Sequence, residues 1–133
     1  MSTHSCRLVL CVLAALIAAG CEGVIDPSKN RVEEFSGTLE PFGTRSHEFS
    51  VDKNGELDVK ITHLTNPDAF LELAYGDRLN GCSGVSVIQF TQFAQLNRPG
   101  LGGFISGGQY CLYLSDNGSL TKPENYTLRV SHP

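Results

Sequence analysis

Five cysteines offer the widest range of chemistry in this 133-residue chain: Cys6, Cys11, Cys21, Cys82 and Cys111. A cysteine thiol can carry a lipid, close a disulfide, bind a metal or act as a nucleophile. The first three lie in or beside an apolar stretch near the N-terminus, whereas the last two lie among alternating apolar and polar residues. These different surroundings predict different roles for the two groups.

The N-terminal segment has the pattern of a secretory signal. Arg7 precedes an uninterrupted run of 12 apolar residues at positions 8–19, and Gly20 follows. A basic residue, an apolar run and a close of small residues are typical of a cleaved signal peptide. A membrane-spanning helix needs about 20 apolar residues, so a stable anchor helix is disfavoured.

A cysteine stands where this signal would be cut. The residues Ala18-Ala19-Gly20-Cys21 resemble the lipobox of bacterial lipoproteins, although leucine is commoner than alanine at its first position. The resemblance implies removal of signal peptide 1–20 and acylation of Cys21, palmitate included. Glu22 in second place implies sorting to the outer membrane. An ordinary cleaved signal and an uncleaved anchor are the alternatives.

The rest of the chain is long enough for one domain. Residues 21–32 contain glycine and proline without periodicity and predict a flexible tether, and residues 33–133 predict the folded domain. Loss of Arg7 leaves 9 of the 10 basic residues against all 14 acidic residues, a net charge of −5. This acidic balance argues against nucleic acid, and against anionic lipid bound through a basic patch.

Cys82 and Cys111 would remain after the signal is removed. An even pair of cysteines in an oxidising compartment favours a disulfide. Two free thiols that bind a metal are the alternative, and no Cys-x-x-Cys spacing supports it.

Alternating apolar and polar residues predict an all-β domain. Apolar residues at every second position flank an Asn54-Gly55 turn, which predicts a hairpin with Val51 opposite Leu57. Further alternating segments separated by turn clusters predict six to eight short antiparallel strands in a sandwich or barrel.

Phe93 breaks the alternation that Ile88 and Phe90 establish. A break in phase of this kind is typical of a β-bulge, because one extra residue shifts every later side chain to the other face. The sequence therefore predicts a bulge near Gln92.

The order of these segments resembles the bacterial pre-peptidase C-terminal domain, which is often appended to secreted peptidases. The matching segments are 35–39, 47–51, 55–61, 69–73, 108–114 and 125–130. The resemblance implies a jelly-roll-like antiparallel β-sandwich. The chain has no peptidase domain, and the pair Cys82 and Cys111 is foreign to the usual pattern. No role in protease processing follows from the resemblance.

The sequence contains no set of catalytic residues that fits a known arrangement. Residues 81–84 lack the strand-to-helix elbow of a hydrolase serine. Ser46 and His47 are strand neighbours and point to opposite faces. The glycine-rich segment 100–108 precedes a strand, whereas a phosphate cradle requires a helix. We therefore expect a protein that is not an enzyme, with a small envelope hydrolase as the disfavoured alternative.

Two histidines and several acidic residues are candidate metal ligands. His47 and His63 share an inward parity, and a position at the rim of the core is favoured over a metal pair. The run from Asp52 to Asp58 partly matches a calcium loop, and a polar turn is favoured. Some members of the resembled family bind calcium through acidic loop residues, which makes Asp68 a candidate ligand. No other cofactor is expected.

Tyr113 is the candidate for a binding surface. It shares the outward face of its strand with Cys111, and a bridge to Cys82 would clip the loop 76–84 across that face. Tyr113 would then either stack on a sugar or peptide or cover the clipped loop, and the second is favoured.

Together these patterns predict a lipid-anchored β-sandwich of the cell envelope that acts as a binding or structural module. The expected partners are the membrane, through the N-terminal lipid, and an envelope protein or polysaccharide. A calcium- or glycan-binding accessory domain is the alternative.

Overall fold

The computed structural model describes residues 26–133, in which one short 3₁₀ turn at Pro27–Lys29 precedes eight strands. The predictions for the signal peptide, for Cys21 and for the start of the tether lie outside these residues. The strands are β1 (Arg31–Leu39), β2 (Thr44–Val51), β3 (Gly55–Leu64), β4 (Leu71–Leu79), β5 (Gly84–Ala94), β6 (Pro99–Ile105), β7 (Gly108–Ser115) and β8 (Glu124–His132). Among residues 26–133, no helix is long and apolar enough to span a membrane.

The strands form two antiparallel four-stranded sheets. The first sheet has the order β1-β8-β3-β6, and the second has the order β2-β7-β4-β5. Successive strands mostly alternate between the sheets, which is the arrangement of a jelly roll. The predicted all-β jelly-roll-like sandwich is confirmed.

The core forms because each strand turns every second side chain inward. In β3, Leu57, Val59 and Ile61 are buried between the sheets, and Asp58 and Lys60 alternate with them. Full burial of such side chains contributes roughly 1.5–3 kcal/mol each. The apolar residues at every second position of the sequence therefore identify the buried face of β3 correctly.

The predicted hairpin at Asn54-Gly55 is wrong. Val51 pairs with Gly108 on β7, and Leu57 pairs with Gly103 on β6, so β2 and β3 belong to different sheets. The turn carries the chain across the core. Two strands that face each other across a core show the same inward alternation as two paired strands, so the pattern did not distinguish these arrangements.

The domain begins before the predicted boundary at residue 33. The Asp26 side chain caps the 3₁₀ turn by accepting a hydrogen bond from Ser28 N (3.1 Å), and β1 starts at Arg31. The Asn30 amide donates to the Glu56 carbonyl (2.8 Å). Residues 26–32 are therefore part of the fold rather than of a flexible tether.

The predicted bulge near Gln92 is present. Leu71 pairs with Ala94 and Leu73 pairs with Thr91, so two residues of β5, Gln92 and Phe93, lie opposite one residue of β4. This irregularity lies at the end of β5, beside the start of β4 and the end of β7.

Candidate functional site

Cys82 and Cys111 form a disulfide, as the sequence predicted, so the alternative of two free thiols is not realised. Cys111 is fully buried on β7, and Cys82 lies in the turn between β4 and β5. Asn80, Gly81 and Cys82 all have positive φ angles of 49–64°. The disulfide holds this tightly curled turn against the outer face of the second sheet.

Tyr113 covers the clipped turn and is not an exposed binding platform. It is only 7% exposed, packs with Ala74 and Cys111, and donates a hydrogen bond from its hydroxyl to the Gly84 carbonyl (3.0 Å). The favoured prediction, that Tyr113 covers the clipped loop, agrees with this burial, and the alternative of a binding surface at Tyr113 is wrong, since neither a sugar nor a peptide can reach a ring buried in this way.

His47 and His63 are not brought together as a metal pair. The His47 ring stacks on Phe35 with ring centres 4.8 Å apart, and its Nε2 lies 2.9 Å from the Tyr126 hydroxyl. Burial, and secondarily the charge of Arg45, lowers the pKa of His47. His63 is exposed on β3, which belongs to the other sheet.

The predicted calcium candidates are separated from one another. Asp68 is exposed in the loop between β3 and β4, and Asn54 accepts a hydrogen bond from Gly107 N (3.0 Å). Asp58 pairs with Lys60 (3.0 Å) and Arg129 (3.6 Å). Within the described residues, no three His, Cys, Asp or Glu side chains could hold one metal ion.

A polar groove beside β1 and β2 holds two arginines that are already paired. Arg31 contacts Glu33 at 2.8 Å, and Arg78 contacts Glu48 at 3.1 Å. Because each guanidinium has a carboxylate partner, the groove offers no free positive charge to an anion. It is therefore a weaker candidate for a ligand site.

A cleft at the end of the sandwich combines exposed aromatic rings with side-chain amides. It has a volume of about 360 Å³, within the range of small-molecule sites. Its lining consists of Phe70, Gln92, Phe93, Asn117, Gly118 and Ser119. We call this the aromatic cleft.

The β-bulge explains why β5 contributes two side chains to the aromatic cleft. In a regular strand, Gln92 and Phe93 would point to opposite faces. The bulge sets both opposite Glu72, and both are exposed and line the cleft. Phe93 is 73% exposed and Phe70 is 44% exposed, so both rings are available to a ligand.

Asp116 organises the loop that forms the opposite wall. Its carboxylate accepts hydrogen bonds from the backbone N–H groups of Phe42 (2.8 Å), Ser119 (2.8 Å) and Leu120 (3.1 Å) and from the Ser119 hydroxyl (3.0 Å). Burial acts to raise the pKa of Asp116, but these donors outweigh it, and the pKa lies below its usual value. The Ser119 hydroxyl has a single hydrogen, which it shares between this carboxylate and the Phe70 carbonyl, and this shared contact joins the two walls.

The aromatic cleft was not predicted from the sequence. The phase break at Phe93 indicates the bulge but not its consequence, and Asn117-Gly118 has the composition of an ordinary turn. Phe70 precedes a strand and gave no signal. The sequence signal that could have indicated an uncharged surface is the scarcity of charged residues, because Arg98 is the only one from position 79 to position 115.

Asp68 lies next to the aromatic cleft. It lines an adjoining depression with Pro67, Gln95, Leu96 and Arg98, and Phe70 borders both depressions. The structure thus places this candidate residue near the aromatic cleft but outside its lining.

Comparison with known proteins supports the fold. No protein-family model and no curated protein sequence matches the chain significantly. A mitogen derived from Yersinia pseudotuberculosis is structurally similar, with a TM-score of 0.56 and 21% identity over 78% of this chain and 87% of the mitogen. The pre-peptidase C-terminal domain of a collagenase from Bacillus anthracis has a TM-score of 0.51 and 16% identity, over 74% of this chain and 86% of that domain. At such low sequence identities these similarities show the fold alone, which is similar to that of the pre-peptidase C-terminal domain.

Proposed function

We propose that this protein is a non-enzymatic binding module of the cell envelope that is anchored by an acylated Cys21 and uses the aromatic cleft to bind an envelope component. The partner would be an envelope protein or polysaccharide. By the sorting preference that Glu22 suggests, the membrane would be the outer membrane.

One geometric observation carries this proposal. The start of β1 at Arg31 pairs with His132, and the end of β1 at Leu39 pairs with Glu124. The aromatic cleft lies at this second end, because Phe42, just after β1, donates to Asp116 beside the cleft loop, where the start of β4 meets the end of β7. A nine-residue strand spans roughly 25–30 Å. A chain tethered before Arg31 would therefore hold the cleft at the end of the domain farthest from its anchor.

A mass measurement on the native protein tests the anchor. Acylation predicts loss of residues 1–20, the added mass of two or three acyl chains at Cys21, and two hydrogens fewer for the disulfide. Metabolic labelling with palmitate should disappear in Cys21→Ser and persist in Cys11→Ser. An intact N-terminus in the native protein would contradict the anchor.

A sedimentation assay tests the cleft. Purified protein in detergent is mixed with delipidated envelope material that retains its proteins and polysaccharides. We expect the wild type to sediment with the material and the double variant Phe70→Ser, Phe93→Ser to remain in solution. Phe104→Ser is the matched control, because Phe104 is 64% exposed on β6 and lies outside the cleft. Equal sedimentation of both variants, or no sedimentation of the wild type, would refute the proposed function.

A further inference from the structure

We infer that the aromatic cleft is a site for an uncharged saccharide, an inference that rests on the proposed function and names the ligand class of the same site. The argument uses the charge, the aromatic rings, the amides and the rigidity of the cleft.

The lining of the aromatic cleft carries no charge. None of its six residues is ionisable as an acid or base near neutral pH. The carboxylate of Asp116, behind the loop, is buried and saturated by its four donors. The six lining residues offer no ionic partner to a charged ligand, and the nearest charged side chains, Asp68 and Arg98, lie in the adjoining depression. The lining itself therefore favours neutral molecules.

The aromatic rings supply apolar surface at the mouth of the cleft. Phe70 and Phe93 line it, and Phe42 lies against Gly118 on the other side of the loop, 78% exposed. Phe42 has a φ of 58°, which is rare for a bulky residue, and its N–H is held by Asp116. A sugar ring has a C–H face that packs on an aromatic ring and hydroxyl groups around its edge.

The amides supply hydrogen-bond partners for hydroxyl groups. The amide of Gln89, elsewhere on β5, is engaged by the N–H and carbonyl of Gly102. The exposed amides of Gln92 and Asn117 instead line the aromatic cleft. An amide both donates and accepts, and a hydroxyl does the same, so each amide can pair with a sugar edge in either sense.

The walls of the aromatic cleft are held in place before any ligand binds. The Ser119 hydroxyl joins the Asp116 loop to the Phe70 backbone, and the β5 bulge fixes the backbone position of Phe93. A site that is already ordered loses less conformational freedom on binding. This matters for saccharides, because their weak individual contacts leave little free energy to order a mobile loop.

Titration calorimetry tests the ligand class. The purified full chain, in a detergent without a sugar headgroup, is titrated with the neutral hexasaccharides cellohexaose, chitohexaose and maltohexaose, and with hexagalacturonate as the charged counterpart. We expect saturable binding of at least one neutral hexasaccharide and none of hexagalacturonate. Phe93→Ala should weaken the binding about tenfold, and Asn117→Ala should weaken it as well. Phe104→Ala should stay within about twofold of the wild type.

Three outcomes would overturn the inference. Binding of none of the neutral hexasaccharides, while sedimentation that depends on Phe70 and Phe93 persists, would leave the proposed function in place and overturn the assignment to a neutral saccharide. Equal affinity in Phe93→Ala would place a saccharide site elsewhere. A dimer in sedimentation velocity that Phe93→Ala dissociates would show that a second copy occupies the cleft. If the wild type does not sediment, or sediments no more than the double variant Phe70→Ser, Phe93→Ser, the proposed function itself is refuted.

Discussion

The Asn54 side chain accepts a hydrogen bond of 3.0 Å from the backbone N–H of Gly107, and this contact joins two of the turns at which the chain crosses between the sheets. One turn leads from β2 to β3, and the other leads from β6 to β7. Asn54 and Gly55 therefore do not close a hairpin. They connect β2 in one sheet to β3 in the other, and Asn54 links this connection to the one between β6 and β7.

Replacement of Asn54 by alanine should lower the free energy of unfolding by about 0.5–1.5 kcal/mol, because the Gly107 N–H loses its protein partner. Urea denaturation measures the change. Lys53→Ala is the matched control, since Lys53 is exposed in the same turn and should stay within about 0.5 kcal/mol of the wild type. Equal effects of the two substitutions would contradict the role given to this contact.

Loss of the disulfide should be costly. The double variant Cys82→Ala, Cys111→Ala should lose about 3–4 kcal/mol of unfolding free energy, the chain-entropy value for a bridge across 29 residues. Reduction of the wild type before unfolding should bring its stability close to that of the variant. If the reduced and oxidised wild type unfold at the same denaturant concentration, this stabilising role is wrong.

Asp116→Asn should destabilise the loop of the aromatic cleft by about 1–3 kcal/mol. The carboxylate accepts hydrogen bonds from backbone N–H groups through both of its oxygens, whereas the amide nitrogen of asparagine is itself a donor and would leave one of these N–H groups without an acceptor. The native pKa of Asp116 is lowered, so its contribution is complete above about pH 4 and declines as the pH falls through the native pKa. The variant should lack this part of the acid-induced loss of stability.

Denaturation curves between pH 2 and 6 check the Asp116 prediction. Asp68→Asn serves as its control, since Asp68 is exposed and should tolerate the same chemical change. A wild-type pH dependence in Asp116→Asn would contradict the prediction.

His47 should make the protein less stable as the pH falls from 7 to 5. Burial lowers its native pKa, so the unfolded chain takes up a proton near pH 6.5 while the folded chain resists it, and unfolding is favoured. Protonation would also remove the lone pair that can accept from the Tyr126 hydroxyl. His47→Phe should flatten this part of the pH profile while keeping the stack on Phe35.

Thermal unfolding at several pH values measures the His47 effect. Ser46→Ala, at the neighbouring position on the opposite face of β2, should keep the slope of the wild type. A His47→Phe profile as steep as that of the wild type would show that other groups cause the pH dependence.

The strands were readable from the sequence, and their pairing was not. Period-two patterns located the apolar faces, the phase break at Phe93 located the bulge, and the two downstream cysteines were correctly paired. The predicted pairing of Val51 with Leu57 is wrong, because an alternating pattern shows which side chains face the core but does not show which strand is hydrogen-bonded to which. That choice depends on contacts between residues far apart in the chain.

The same division holds for the candidate site. The sequence by itself determined the residue types, the all-β class, the disulfide partners and the scarcity of charge, because each depends on composition or local order. The tertiary structure decided that Phe70, Phe93 and Asn117 share one cleft and that Tyr113 is buried. These facts depend on how strands from distant positions pack, since a side chain's exposure is set by what the fold brings against it.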